Sequence, residues 1–336
     1  MRVLVTGGAG YIGSHTCVEL LNNGHDVFVI DNLSNGHEAA LTRVRGITNC
    51  ELKFMNADIR DSDALDKIFS TFKPEAVIHF AGLKAVAESV ADPVNYYDIN
   101  VGGSISLLAA MSKAGCGNIV FSSSATVYGK PEYLPYDEEH PTNPVNPYGR
   151  TKLMIENIIR DWTEIDSKRK GTVLRYFNPV GAHESGQIGE EPIGIPNNLM
   201  PFIAQVADGR RDHLNIFGND YDTSDGTGAR DYIHIVDLAL AHISALDQNK
   251  LNGFEILNIG AEKSTTVFEL LKEFEETVGI TIKFKYLPRR DGDLAAFWAD
   301  SSKAFHKMGW QPKRNINKIC KDTWRWHKNN PTGYDN

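Results

Sequence analysis

A doubly wound parallel α/β sheet joined to a smaller α+β lobe is the fold that three features of this chain predict. Short apolar runs recur at residues 2–6, 27–30, 76–81, 118–122 and 172–177, helical patterns separate them, and a glycine-rich turn follows the first run. Strands that are apolar throughout, rather than alternating, are buried on both faces, as in parallel sheets covered by helices.

The elements follow in order. Residues 2–6 form a β-branched run that stops at Gly7-Gly8-Ala9-Gly10, after which Ile12, Cys17, Leu20 and Leu21 recur at roughly helical spacing up to Gly24. Residues 27–30 are the second strand, ending at Asp31, and the runs at 76–81, 118–122 and 172–177 extend the sheet. After about residue 178 the alternation becomes irregular, Gly and Pro crowd residues 179–201, and 251–259 and 281–286 are later strand candidates. No internal repeat is visible.

Composition narrows the function. The chain has 336 residues, 41% hydrophobic and 23% charged, which fits one large unit or two closely joined domains. With 35 basic and 43 acidic residues the formal charge is −8, and no block of like charge suggests a nucleic-acid or membrane partner. Cys17, Cys50, Cys116 and Cys320 are scattered without zinc-type spacing, so no metal is expected and they read as free thiols in a reducing compartment. No signal-peptide layout and no run of about 18 apolar residues is seen, which makes the cytosol the expected address.

Gly7-x-x-Gly10-x-x-Gly13 lies between the first strand and helix, where missing β-carbons let backbone approach a pyrophosphate at a helix N-terminus. Asp31 ends the second strand, where an acidic residue takes adenosine ribose hydroxyls; its charge would repel a 2′-phosphate and so favours NAD over NADP. The expected division is an NAD-binding Rossmann domain over residues 1–178, with some later segments packing back onto it, and a mainly substrate-binding lobe over 179–336.

Tyr148-Gly149-Arg150-Thr151-Lys152 places a phenol and an ammonium four residues apart, side by side if the segment is helical. The two groups titrate near ~10 and ~10.4 in water, and a cation beside the phenol is expected to lower its pKa toward a range useful for proton transfer. Alone, the pair also fits an ordinary solvated helix.

Taken with the glycine spacing, Tyr-x-x-x-Lys resembles the short-chain dehydrogenase/reductase superfamily. Asp58-Ile59, Phe80-Ala81-Gly82-Leu83-Lys84 and Ser122-Ser123-Ser124 occur in the order of its extended branch. Within that branch Ser124-Ala125-Thr126-Val127-Tyr128-Gly129 resembles the UDP-galactose 4-epimerase family. So do Arg175-Tyr176-Phe177-Asn178, Ile195-Pro196-Asn197-Asn198-Leu199-Met200-Pro201, Ile216-Phe217-Gly218-Asn219-Asp220-Tyr221, Gly228-Ala229-Arg230-Asp231-Tyr232-Ile233-His234 and Pro288-Arg289-Arg290-Asp291-Gly292-Asp293. The related dehydratases carry Thr-Asp-Glu near Ser124, and its lack disfavours dehydration.

The resemblance implies an enzyme that interconverts UDP-glucose and UDP-galactose by transient oxidation at sugar C4, with bound NAD and as a homodimer. It implies Tyr148, Lys152 and Ser124 as catalytic residues. For NAD it implies Gly7, Gly10, Tyr11, Ile12, Gly13, Asp31, Asn32, Asn35, Gly36, Asp58, Ile59, Phe80, Ala81, Gly82, Lys84 and Phe177 beside those three. For the substrate it implies Thr126, Asn178, Asn198, Leu199, Asn215, Ile216, Phe217 and Phe297, with Ser124 and Tyr148. Arg230 and Arg290 would clamp the diphosphate and Asp293 would hold the uridine ribose. Two positions depart from the family. Ile99 replaces an asparagine at the NAD site, leaving Asn100, so a cofactor hydrogen bond is expected to be lost or replaced by water. Phe297 replaces a tyrosine, or a cysteine in broader-specificity relatives.

Overall fold

A computed structural model describes residues 1–192, 196, 198–247, 251–290 and 292–335. Ile195, Asn197 and Asp291 of the quoted motifs lie outside the described residues.

The first six strands are β1 (Arg2–Thr6), β2 (Asp26–Asp31), β3 (Lys53–Asn56), β4 (Ala76–His79), β5 (Asn118–Ser124) and β6 (Lys170–Tyr176). The rest are β7 (Asn178–Val180), β8 (Leu214–Phe217), β9 (Ala229–His234), β10 (Phe254–Ile259), β11 (Ser264–Thr266), β12 (Phe284–Leu287) and β13 (Ala296–Phe297). A seven-stranded sheet runs in the order β3-β2-β1-β4-β5-β6-β10, parallel at every pairing. The order reverses between β1 and β4, which opens a crevice at their carboxyl ends.

Both faces of this sheet are dry. Val3 and Val5 join a core with Cys17, Leu20, Leu41, Val44 and Leu238. Leu4 turns into the opposite core with Leu65, Ile68, Leu107, Met111, Ile155 and Ile159. Every residue from Val3 to Val5 is therefore buried, the physical source of the unbroken apolar run, and each such side chain contributes about 2 kcal/mol.

Two strands differ from the pattern reading. β3 lies at the sheet edge with Lys53 and Asn56 exposed, so it carries no continuous apolar signal. β10, from the irregular second half, is the seventh strand of the main sheet, paired along its whole length with β6. The other late candidate shortens to β12, which pairs with β8.

The second half builds a small sheet around β9, flanked by β11 and β13 and joined by β7. It packs with Met200, Ile203, Leu270, Phe274 and Ile319 in its own core. Among the described residues, no helix is long and apolar enough to cross a membrane.

Candidate active site

The turn after β1 has one use for each glycine. Gly7 adopts φ +72°, and a β-carbon there would lie 2.6 Å from the Ala81 nitrogen. At Gly13 a β-carbon would lie 2.3 Å from the Gly7 carbonyl oxygen, so close packing of helix on turn excludes a side chain. Gly10 differs: its nearest protein atom would be at 3.4 Å, so the protein leaves room over the start of the helix Tyr11–Asn22. Room over a helix N-terminus, where the N–H groups carry partial positive charge, suits a pyrophosphate. Asp31 braces the turn by accepting from Ala9 N at 2.9 Å and Leu33 N at 2.8 Å, and burial raises its pKa. Gly36 lies against Ala9, and Ile12 packs against the adjoining core. Asn32 donates to Asp58 at 3.0 Å, near the exposed Asn35. Asp58 is held down to about 2 by its hydrogen bonds with Arg60. The Ile59 side chain packs into the core over Gly103. These residues fit a dinucleotide with free adenosine ribose hydroxyls.

Asn100 is tied into the neighbouring loop. Its amide oxygen accepts from Leu83 N at 2.7 Å, and its nitrogen donates to Leu83 O and Thr151 Oγ1, both at 3.1 Å. The side chain is committed to holding the loop that carries Phe80, Ala81, Gly82 and Lys84. Ile99 lies beside it in the wide turn Tyr97–Gly102.

Local sequence places the proton-transfer pair. Asn146 caps the helix Pro147–Glu164 by accepting from Gly149 N at 2.8 Å, and Pro147 pre-sets its first turn. Tyr148 and Lys152 then share a face one turn apart, and both are buried. Ser124, the last residue of β5, accepts from Thr126 N at 3.2 Å and Thr126 Oγ1 at 3.0 Å, and its hydroxyl acts on Tyr148 in the direction that favours phenolate.

The expected lowering of the phenol pKa is corrected by this geometry. Burial pushes Tyr148 up to about 12, with only the Ser124 hydrogen bond pulling the other way. The Lys152 ammonium is spent elsewhere: it donates to Ser122 O at 2.8 Å and lies 5.8 Å from the centroid of the Tyr148 ring. Burial brings Lys152 itself down to about 8, with Glu156 opposing.

Behind the pair is a buried ionic network that the pattern reading missed. Glu156, one turn after Lys152, accepts from Ser123 Oγ at 2.5 Å and from Arg175 Nη2 at 2.6 Å. Arg175 also lies 4.8 Å from the centroid of the Tyr128 ring. The Lys152-x-x-x-Glu156 spacing was its one sequence signal.

A continuous wall leads from Ser124 to the second half. Ser124 is in register with Tyr176, and the next ring, Phe177, lies 6.0 Å from that of Phe297. Arg230 stacks 4.7 Å from the Phe297 centroid. Arg230 donates to Asp293 at 3.0 Å, Arg290 is 3.6 Å from the other oxygen of the same carboxylate, and Arg290 lies 4.3 Å from the Phe217 centroid. The residues expected to grip UDP thus converge: Asn215, Ile216 and Phe217 on β8, Arg230 on β9, Phe297 on β13, and Asp293 between the arginines. Asn178 on β7 donates to Asp231 O at 2.9 Å.

Lys84 and Asn198 meet at a residue the sequence gave no reason to choose. Glu190 is buried, accepts from Asn198 Nδ2 at 2.6 Å and pairs with Lys84 at 3.6 Å. Asn198 therefore leaves the helix Leu199–Ala207 without a side-chain cap. Tyr11, whose pKa burial raises, donates to Gly181 O at 2.7 Å.

A Rossmann sheet with a glycine turn at its switch point, and a Ser/Tyr/Lys set at the end of β5, defines a short-chain dehydrogenase/reductase of the extended branch. A family profile described as GDP-mannose 4,6 dehydratase matches residues 4–323. A UDP-glucose 4-epimerase of Bacillus subtilis is 53% identical over 99% of both chains. The solved UDP-glucose 4-epimerase of Bifidobacterium longum, in complex with NAD+ and UDP, superposes with a TM-score of 0.95 at 47% identity, covering 99% of this chain and 100% of that one. That of Stenotrophomonas maltophila, with bound NAD and formylated UDP-arabinopyranose, gives 0.95 and 47% over 98% of each. The chain belongs to the UDP-glucose 4-epimerase family.

Proposed function

We propose that this chain interconverts UDP-glucose and UDP-galactose by inverting C4 of the sugar. The observation that carries the reading is the single wall joining Tyr148, Lys152 and Ser124 to Arg230 and Asp293, with the glycine turn at its side. When bound, NAD supplies a reversible acceptor for the C4 hydride. Tyr148 holds and removes the 4-hydroxyl proton, and Ser124 shares the sugar oxygen and relays that proton. Lys152 supplies the positive charge that favours the phenolate. Arg230 and Arg290 keep the diphosphate fixed while the 4-keto sugar turns over, so tight nucleotide contacts and loose sugar contacts suit the reaction.

NAD is held by Gly7, Gly10, Tyr11, Ile12, Gly13, Asp31, Asn32, Asn35, Gly36, Asp58, Ile59, Phe80, Ala81, Gly82, Lys84 and Phe177. Residues 1–178 with β10 form its domain, and the lobe after them binds the UDP-sugar. The chain acts in the cytosol as a homodimer. Support for the dimer comes from the exposed Val90, Val94, Ile105 and Met154, on helices that pack on one another. The bulk of Phe297 leaves little room for an N-acetyl group. Conversion of UDP-N-acetylgalactosamine is therefore expected at well below the kcat/KM for UDP-galactose, and equal values for the two would refute this.

The test is to incubate purified protein with UDP-galactose and no added cofactor. UDP-glucose should form, and the same final ratio should be reached from either sugar. A requirement for stoichiometric reductant or oxidant would point to a reductase and overturn the reading.

A further inference from the structure

We infer that Glu190 is a positioning residue that sets UDP affinity: its hydrogen bond orients Asn198 on the substrate side, while its charge, offset in part by Lys84, opposes binding of the UDP diphosphate. The inference rests on the UDP-sugar reading above.

The charge is out of place for a surface accident. Carboxylates are seldom fully buried unless paired, and Glu190 is 7% exposed. One of its two carboxylate oxygens, Oε1, meets both Asn198 at 2.6 Å and Lys84 at 3.6 Å. Lys84 extends from the loop after β4, on the cofactor side of the crevice, and Asn198 begins the helix Leu199–Ala207 on the substrate side. One carboxylate therefore links the two halves.

The loop that carries Glu190 is held from outside the cleft. Gly189 lies against the Trp326 ring, where a β-carbon would come within 2.3 Å, and its N–H donates to the Tyr334 hydroxyl at 3.2 Å. Tyr334 donates back to Gly189 O at 3.1 Å. Arg43, on a helix of the sheet domain, donates to Gln187 O at 3.0 Å and to Asn330 at 2.7 Å, and stacks 4.9 Å from the Tyr334 centroid. Such bracing fixes where the negative charge stands.

A fixed negative charge beside Lys84 and Asn198 has two separable effects. As a hydrogen-bond acceptor it holds the Asn198 amide in one orientation. As a charge, offset only in part by Lys84 on the cofactor side, it repels a UDP diphosphate that approaches Asn198 on the substrate side. An enzyme that must release a UDP-sugar after every turn gains from limited affinity, since uniformly tighter binding does not speed the reaction.

Glu190→Gln keeps the acceptor and removes the charge, whereas Glu190→Ala removes both. The measurement is the Kd of UDP by calorimetry on the purified chain as isolated, at low and high salt, with thermal unfolding as a check on folding. Glu190→Gln should tighten UDP by roughly two- to fivefold, the scale of one partly screened charge pair, and the gain should shrink at high salt. Glu190→Ala should bind UDP more weakly than Glu190→Gln. Weakening by both substitutions alike, no change with either, or a gain that ignores salt would overturn the inference. If the unaltered chain binds no UDP, the proposed function falls as well; if it binds UDP but the ranking is absent, only the role of Glu190 falls.

Discussion

The sheet domain and the lobe hold their charged groups in opposite ways. At the end of β5, Tyr148 and Lys152 are buried, and burial, against the opposing pull of Ser124 and Glu156, pushes the phenol up to about 12 and the ammonium down to about 8. In the lobe the Arg290 side chain is 60% exposed and the Asp293 side chain 27%, and aromatic faces with one shared carboxylate set their positions. The dry end is built for chemistry, because a proton or charge that moves there is not screened by water. The wet end is built for grip, because guanidinium groups over rings can exchange one anionic partner for another at small cost. An epimerase needs both: a fixed reacting centre and a handle that stays bound while the sugar turns.

The sharpest way to break that contrast is to exchange the symptoms of the two ends. Tyr148→Phe should lower kcat by about a thousandfold while UDP binding stays close to that of the unaltered chain. Full turnover in that variant would remove Tyr148 from its role. Glu156→Gln probes the support beneath the dry end. It leaves the buried Arg175 without its counter-charge, and a loss of about 3–5 kcal/mol is expected in denaturant unfolding. A loss under about 1 kcal/mol would show that water reaches the pair.

Arg230→Ala addresses the grip in the lobe, where the Arg230 side chain is 16% exposed against 60% for Arg290. It should raise KM for UDP-galactose by about 10- to 100-fold, the scale of lost charge-assisted bonds, with a smaller fall in kcat. A pure kcat defect would place Arg230 with the chemistry instead. The smallest effect per group is with pH. Burial lowers His15 and His79 to about 3, and His242 and His327 to about 4. Their folded pKa values lie below the unfolded value near ~6.5, so the unfolded chain binds more protons in acid and stability falls as pH drops from ~6.5 toward these values. Each should cost about 1 kcal/mol per pH unit in that window. Asp231, raised to about 6 by burial, works the other way between ~3.8 and 6, as do Asp31, Glu19, Glu138 and Glu191, which burial also raises, whereas the lowered His25, His183 and His234 act with the four histidines. Thermal unfolding from pH 7 to 4 checks the sign, and an unchanged Tm would show that these histidines are not held neutral.

How much of this was legible in the sequence follows the same division. The glycine turn, Asp31, Tyr148 and Lys152 depend on local geometry, and strands buried on both faces announce themselves by composition, so the sheet end was readable. β10 was expected as a strand, and later segments were expected to pack back onto the sheet, but which one did was not legible, because a strand's pairing partner is a tertiary fact that periodicity does not carry. β3 left little trace because an edge strand need not be apolar. Glu190 and Arg175 gain their meaning from contacts 8 and 19 residues away or more, and Glu190 stands in a glycine-rich loop with no pattern of its own. The fall expected in the Tyr148 pKa failed for a related reason: spacing put an ammonium near the phenol but could not say that Ser122 O would take its hydrogen bond.

The central claim is that the hydrogen taken from C4 returns to the same carbon. UDP-galactose carrying deuterium at C4, converted in ordinary water with no added cofactor, tests it directly. The UDP-glucose formed should keep the deuterium at C4 at nearly full occupancy, because the hydride never meets solvent. Loss of the label to water would mean that C4 is inverted by proton exchange, and would contradict the roles given to Tyr148, Lys152 and the glycine turn together.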